Sequence, residues 1–288
     1  FMHESGKLNS IKKLYRKKYD IYHQTHFDPY GLPFIGHKPM VTTFHDINFS
    51  TINPNPKVVK WQRKSLERAD FIISISENTR QDLIRLFNIP ESKTTVIYHG
   101  IIPPPQLPTT KIFDFPYILY VGARDNYKNF HRLIDAFSIT LKTFPDLKLV
   151  CTWKSFSPNE HELFHRLNID KNIEHYSATE SEMNTLYRDA LFFIFPSLYE
   201  GFGMPILEAM TNHCPVLLSN SSCFPEIAQD AAMYFNPKSV DDMSNKMNMM
   251  IENSELRNSL VQKGDLRVKY FSWERCAAQH LKIYESLL

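Results

Sequence analysis

The chain has 288 residues, a formal net charge of +2, and 43% hydrophobic against 22% charged side chains. That balance is ordinary for a globular protein. The small charge points to no nucleic acid or other polyanion, and no apolar run approaches the roughly 18–20 residues that span a bilayer. Cys151, Cys214, Cys223 and Cys276 lack C-x-x-C spacing, which fits reduced thiols in a cytoplasmic protein better than a disulfide framework or a zinc site.

Residues 7–18, KLNSIKKLYRKK, set Leu8, Ile11, Leu14 and Tyr15 at helical spacing among Lys7, Lys12, Lys13, Arg16, Lys17 and Lys18. The pattern predicts a basic amphipathic helix. Its cations are either a solvated face or a surface drawn to anionic lipid headgroups. Strands are expected at 20–27, 39–47, 70–76 and 94–101, with a loop over 28–39, a cation-rich helix at 58–69, and a helix at 77–88 capped by Ser76. Alternating strands and helices imply parallel pairing through right-handed crossovers. The proline-dense stretch IPPPQLPTTKIFDFP, 102–116, reads as a stiff hinge.

Beyond it, YILYVG (117–122) is an expected strand, followed by the turn ARDNYKN. The next helix buries Phe130, Leu133, Ile134, Phe137 and Leu141. Strands follow at 146–153 and 172–177, and helices at 159–167 and 180–190. The unbroken apolar run LFFIFP (191–196) reads as a strand buried on both faces. Further strands are expected at 214–220 and 232–235. A helix at 239–263 places Met243, Met247, Met249 and Met250 in the core, and a last helix covers 272–288.

The chemistry gathers in FPSLYEGFGMPILEAM, residues 195–210, where Glu200 and Glu208 flank Gly201, Gly203 and Pro205. Proline is accepted in a first helical turn, so the unit is strand, glycine turn, helix. Ligands of open parallel sheets sit outside the carboxyl ends of the strands. There the amides of Phe202, Gly203 and Met204, together with the positive helix end, suit an anion. In YVGARDNYKN, Gly122 opens a turn carrying Arg124 and Lys128. A guanidinium fork and an ammonium point charge make an anion clamp, and such cations stabilise a departing anionic group most in the transition state. The clamp argues against reading Glu200 and Glu208 as the acid/base pair of a glycoside hydrolase. No Asp-x-Asp cluster or suitably spaced histidine suggests a metal, and neither a P-loop nor a hydrolase elbow is present. His45 and His26 both lie at strand ends, whereas His99, before Gly100, reads as structural.

The 195–210 stretch resembles the Glu-x7-Glu motif of family 4 glycosyltransferases, retaining enzymes of the GT-B fold, in which two Rossmann-like domains face across a cleft. The similarity runs over roughly residues 20–288. It implies that Glu200 contacts the donor sugar and Glu208 the ribose, with Gly201, Phe202, Gly203 and Met204 at the diphosphate and sugar. Lys128 and Arg124 hold the diphosphate beside Gly122, although Ala123 stands where the family commonly has its arginine. His45 lies beside the donor sugar, with His26 as second choice, and Tyr176 belongs to the segment lining the nucleobase pocket. The resemblance implies an acceptor-side domain at 1–102, lacking the family's opening strands, and a hinge at 103–116. A nucleotide-sugar domain at 117–271 and a helix at 272–288 crossing back to the first domain complete it. The form VGARDNYKN is most similar to mannosyl- and rhamnosyl-type transferases of cell-surface polysaccharide synthesis. The expectation is a metal-independent transfer of a hexose, with mannose from GDP-mannose the leading case, to a glycan or lipid-linked acceptor. It needs no cofactor, and it places the protein in the cytoplasm or peripherally at the inner membrane face. Two other readings stay open: a sugar-nucleotide epimerase, and a truncated subunit that binds nucleotide without turnover.

Overall fold

Cap residues and short apolar runs set the element boundaries. The computed structural model describes residues 4–16, 18–48, 52, 54–104, 110–124 and 126–288. Lys17 of the basic segment, residues 105–109 of the connector and Asp125 of the cation turn lie outside the described residues. The chain divides into two units, one of residues 1–100 with 272–288, the other of residues 101–271.

In the first unit, α1 (Glu4–Tyr15) precedes β1 (Tyr22–Gln24), and the segment expected to be a loop contains a single 3-10 turn and the short α2 (Leu32–Ile35). Then come β2 (Met40–Phe44), α3 (Pro56–Arg68), β3 (Phe71–Ser74), α4 (Glu77–Phe87) and β4 (Thr94–Val96). The four strands form a parallel sheet in sequential order. Asn55 accepts a hydrogen bond from the Val58 amide ahead of Pro56, and Ser76 accepts one from Thr79, so each helix starts at a side-chain cap. Among the described residues of α1 only Leu14 is buried, whereas Leu8 and Tyr15 are 60% and 78% exposed. The apolar stripe read from the sequence is therefore split between core and surface.

The second unit holds β5 (Tyr117–Tyr120), α5 (Phe130–Thr140), β6 (Lys148–Cys151), α6 (Pro158–Arg166), β7 (Ile173–His175) and α7 (Glu180–Asp189). It continues with β8 (Phe192–Phe195), α8 (Met204–Thr211), β9 (Val216–Ser219), α9 (Phe224–Ala228), β10 (Met233–Phe235), α10 (Val240–Glu252) and α11 (Ser254–Arg267). Its six strands are all parallel, in the order β10-β9-β8-β5-β6-β7. Strand order therefore runs one way from β5 and the other way from β8, and the reversal falls between these two neighbours. All four residues of β8 are buried, as its apolar run requires. Ile118, Tyr120, Leu149, Cys151, Phe192 and Ile194 form one face and pack with α5, α6 and α10. On the other face the Tyr117 hydroxyl donates to the Leu186 carbonyl of α7 (2.8 Å). There Phe193 meets Tyr187 edge-on and Phe195 lies against Phe224 of α9.

The helix expected over 239–263 is two helices. The side chain of Asn253, the residue that ends α10, accepts the Leu256 amide and so opens α11. Met243, Met247 and Met250 are fully buried, but Met249 is 45% exposed. Positions 243, 247 and 250 share a helical face that 249 leaves, which corrects its expected core placement.

The last helix, α12 (Trp273–Ser286), starts at Ser272, which caps the Arg275 amide, and belongs to the first unit. Its Cys276 joins Val41, Ile73 and Ile97 in that unit's core, with Ile283, Tyr284 and Leu287 packed alongside. Among the described residues no helix is long and apolar enough to cross a membrane.

Candidate active site

The two turns that follow β5 and β8 are tied together at the sheet's switch point, the place where open α/β sheets bind ligands. The Leu198 amide donates to the Tyr127 carbonyl (2.8 Å). Asn129, buried and at φ 60°, donates through Nδ2 to the carbonyls of Pro196 (3.1 Å) and Pro237 (2.7 Å). This lacing holds Lys128 Nζ 2.6 Å from Glu200 Oε1, with each side chain only 15% exposed. The ammonium also lies over the rings of Tyr127 and Phe195, at 5.0 and 5.6 Å. Such a shielded ion pair is far stronger than one in open water.

Glu200 is fixed through its backbone too. Its amide donates to Ser222 Oγ (3.1 Å), and that hydroxyl donates to the Glu200 carbonyl (2.6 Å). Cys223 Sγ reaches the Phe202 carbonyl at 3.1 Å. Gly201 and Phe202 are buried in the turn, and Gly203 takes φ 91° as the cap of α8. Its N-cap, Gly203, makes no side-chain cap hydrogen bond, and the first amides of a helix have no intrahelical partner four residues back. Gly122 at φ 127° opens the β5 turn.

Glu208, one turn into α8, accepts a hydrogen bond from the Tyr187 hydroxyl (3.0 Å). Burial raises its carboxyl pKa above the ordinary range, partly offset by that hydroxyl. A half-buried carboxylate with one donor keeps acceptor capacity for further hydroxyl groups.

The other expected site residues are placed differently. Arg124 does not join the Lys128–Glu200 pair. Its guanidinium forms an ion pair with Glu160 of α6 and donates to the carbonyls of Lys154 (2.8 Å) and Ser155 (2.9 Å). Its side chain is 8% exposed and lies over Phe156. The Tyr176 hydroxyl donates to Glu182 (2.7 Å), which also closes a capping box with Thr179. In the first unit, His45 Nε2 donates to the Thr25 carbonyl (2.9 Å), and its ring stacks on His99, which in turn lies against Trp273. His26 packs on Phe27. Among the described residues no three His, Cys, Asp or Glu side chains gather as a metal site. Sequence reading missed Asn129, Tyr187 and Ser222. Asn129 carried a local signal, since it adjoins Lys128 before a helix, whereas Tyr187 and Ser222 act on residues about twenty positions away.

The family model described as Glycosyl transferases group 1 matches residues 109–267, more than half of the chain. The chain belongs to the group 1 glycosyltransferases. A model described as Glycosyltransferase Family 4 matches residues 6–103. The group 1 chain is 30% identical over 267 residues to the O-antigen chain mannosyltransferase B of Escherichia coli, covering 86% of this chain and 70% of that protein. It is 26% identical over 176 residues to the O-antigen chain mannosyltransferase RfbU of Salmonella typhimurium, covering 61% of this chain and 49% of that one. Among solved structures, Anabaena HepE in complex with UDP and glucose superposes with a TM-score of 0.81 at 17% identity, covering 99% of this chain and 83% of HepE. Sucrose-phosphate synthase from Thermosynechococcus elongatus gives 0.79 at 20% identity, covering 100% and 80%. The fold of this glycosyltransferase is GT-B, with parallel sheets in both units.

Proposed function

We propose that this glycosyltransferase moves mannose from GDP-mannose to a glycan or lipid-linked acceptor in surface polysaccharide synthesis, with retained anomeric configuration and no obligatory metal. The observation that carries the donor assignment is the Lys128–Glu200 pair at the switch point, 2.6 Å apart beside the uncapped start of α8. Lys128 and the α8 amides meet the diphosphate, Glu200 accepts hydrogen bonds from sugar hydroxyls, and Glu208 accepts from the ribose. The named functions of two relatives, both O-antigen mannosyltransferases, support mannose.

In this reading the bond from the anomeric carbon to the diphosphate oxygen breaks as the acceptor oxygen bonds that carbon on the same face. The acceptor proton passes to a phosphate oxygen of the leaving group. Lys128 stabilises the charge that develops there, which lowers the barrier. His45 orients the sugar. Arg124, engaged by Glu160 and by loop carbonyls, shapes the β6–α6 loop instead of clamping phosphate.

The test is an assay with GDP-mannose and an acceptor panel, with the product anomer read by NMR. Transfer with retention that persists in EDTA, and that drops at least about a hundredfold in Lys128→Ala and Glu200→Ala, is expected. Normal rates in either variant, or an inverted product, contradict the reading. Peripheral membrane association is the further part of it. The exposed Leu8 and Tyr15 of α1 lie with the cations Lys12 and Lys13 of its last turn. Each basic residue near an anionic surface adds about 1 kcal/mol. Cosedimentation that rises with the anionic lipid content of vesicles is expected, and indifference to it removes this part.

A further inference from the structure

The turn after β8 runs from Pro196 to Gly203 outside strand and helix, so its backbone groups have no ladder to join and need other partners. Side chains of one short stretch supply them, from Ser219, the last residue of β9, to Cys223, the residue before α9. Ser219 donates to the Ser197 carbonyl, Ser221 to that of Leu198 (2.7 Å) and Ser222 to that of Glu200 (2.6 Å). The Cys223 thiol reaches the carbonyls of Glu200 (3.2 Å) and Phe202 (3.1 Å). The two segments meet because β8 and β9 are neighbouring parallel strands, with Phe195 opposite Leu218. Each step along 221–223 therefore holds a carbonyl two positions further along the turn, at 198, 200 and 202.

Within this row Ser222 serves both backbone polar groups of one residue with one hydroxyl. It accepts from the Glu200 amide (3.1 Å) and donates to the Glu200 carbonyl. Its own backbone stands at φ 56°, a region that residues other than glycine seldom enter and keep only where the surroundings hold them there. Pinning the backbone on both sides of the Glu200 Cα fixes the direction in which the side chain leaves the turn. Lys128, 2.6 Å from Oε1, fixes the other end of that side chain. Glu200 is thus held at its root from the β9 side and at its tip from the β5 turn. Only the tip contact engages the carboxylate, so an incoming hydroxyl meets an acceptor whose root is already in place.

We propose that Ser222 is a positioning residue for the sugar half of the donor. It touches no substrate. It acts through the Glu200 backbone, and so sets how much the sugar adds to donor affinity and how well the transferred sugar is aligned. Alignment matters because a displacement of about 1 Å at a reacting group can lower a rate about a hundredfold. The proposal deepens the donor site of the proposed function and rests on its reading of Glu200 as the acceptor of sugar hydroxyls. The nucleotide contacts assigned to Lys128 and Glu208 come from side chains bonded to Glu200 and Tyr187, not to Ser222.

The experiment compares the full chain with Ser222→Gly, Glu200→Ala and the double variant. Glycine adopts φ 56° freely, so Ser222→Gly removes the hydroxyl and keeps the backbone, and its Tm is expected to stay within about 4 °C of the parent. Hydrogen exchange of the Glu200 amide, followed by NMR, is expected to run at least about tenfold faster in Ser222→Gly. Unchanged exchange overturns the proposal whatever Glu200 binds. Calorimetry with GDP and with GDP-mannose then reads the share of the sugar. Ser222→Gly is expected to keep GDP affinity within about threefold, while the ratio of GDP-mannose to GDP affinity falls about tenfold. In transfer assays kcat/KM is expected to drop at least about tenfold in Ser222→Gly, but to change less than about twofold when that substitution is added to Glu200→Ala, because residues sharing one interaction are not additive. A merely structural role lowers both affinities together and adds in full to the Glu200→Ala loss, and either result overturns the proposal. Faster exchange with parental transfer in Glu200→Ala shows that the reading of Glu200 has failed, and the proposal falls with it, although the hydroxyl does hold the turn.

Discussion

Gly203 carries the turn on which the donor reading depends. At φ 91°, a Cβ added there would stand 3.0 Å from Ile206 Cδ1 and 3.1 Å from Phe224 Cε1. Both the backbone and the space resist a side chain. Gly203→Ala is therefore expected to cost about 1–3 kcal/mol, seen as a lower Tm by circular dichroism; an unchanged Tm contradicts the tight turn. Glu208 behaves oppositely. Its pKa is raised above the ordinary 4.5, chiefly by burial, so the folded state holds the proton more tightly than the unfolded chain. Its ionisation thus costs stability at pH above the ordinary glutamate range, and that cost disappears as pH falls through it. Glu208→Gln is expected to raise Tm at pH 7.5, with the gap closing towards pH 4.5, while GDP affinity falls about tenfold through the lost carboxylate–ribose contact. A gap that widens on acidification contradicts the sign of this argument. A carboxylate kept at a cost in stability is the pattern expected of a binding group.

At the scale of elements, α12 is held to the first unit's sheet partly by neutral histidines. His23 lies 2.6 Å from the Tyr284 hydroxyl of α12 and 2.8 Å from Thr43 Oγ1, and its ring faces His280. His23 and His99 are both pushed down from 6.5 to about 4, first by burial and then by neighbouring histidines. A lowered histidine pKa means that the unfolded chain binds more protons below pH 6.5, so stability present above that value is lost progressively down to about pH 4. Gly100 adds a steric constraint, since a Cβ there would meet the Trp273 amide nitrogen at 2.2 Å. Amide exchange in α12 is expected to speed up from pH 7 to pH 5, and His23→Gln to flatten that dependence; pH-independent protection contradicts it. Element positions were legible where the signal was local. The run FFIF with a glycine turn and proline after it marked β8 and α8, and Ser76 marked the start of α4. The break at Asn253 was missed because methionine-rich sequence continues the helical pattern through it, and the short cap signal Asn253–Ser254–Glu255 was outweighed. The destination of Arg124 was not legible at all. Its partner Glu160 lies 36 positions on, and only the tertiary placement of α6 brings that carboxylate to the guanidinium.

At the scale of the molecule, strand order explains why distant residues form one site. Lys128 and Glu200 are 72 positions apart, yet each follows one of the two neighbouring strands from which the order reverses. Open α/β sheets bind ligands at that reversal, and there the glycine turn after β8 and the cation turn after β5 lie side by side, the wall proposed for the nucleotide-sugar site. Both turns were readable in the sequence and the family resemblance joined them; what the sequence did not show is the physical means, β8 inserting beside β5. The most direct test of this central claim is calorimetric titration of GDP into the full chain and into Lys128→Ala. The parent is expected to bind GDP, and the variant to bind at least about tenfold more weakly, a loss of roughly 1.4 kcal/mol or more. Equal affinity in the two proteins would contradict the assignment of the Lys128–Glu200 wall to the donor diphosphate.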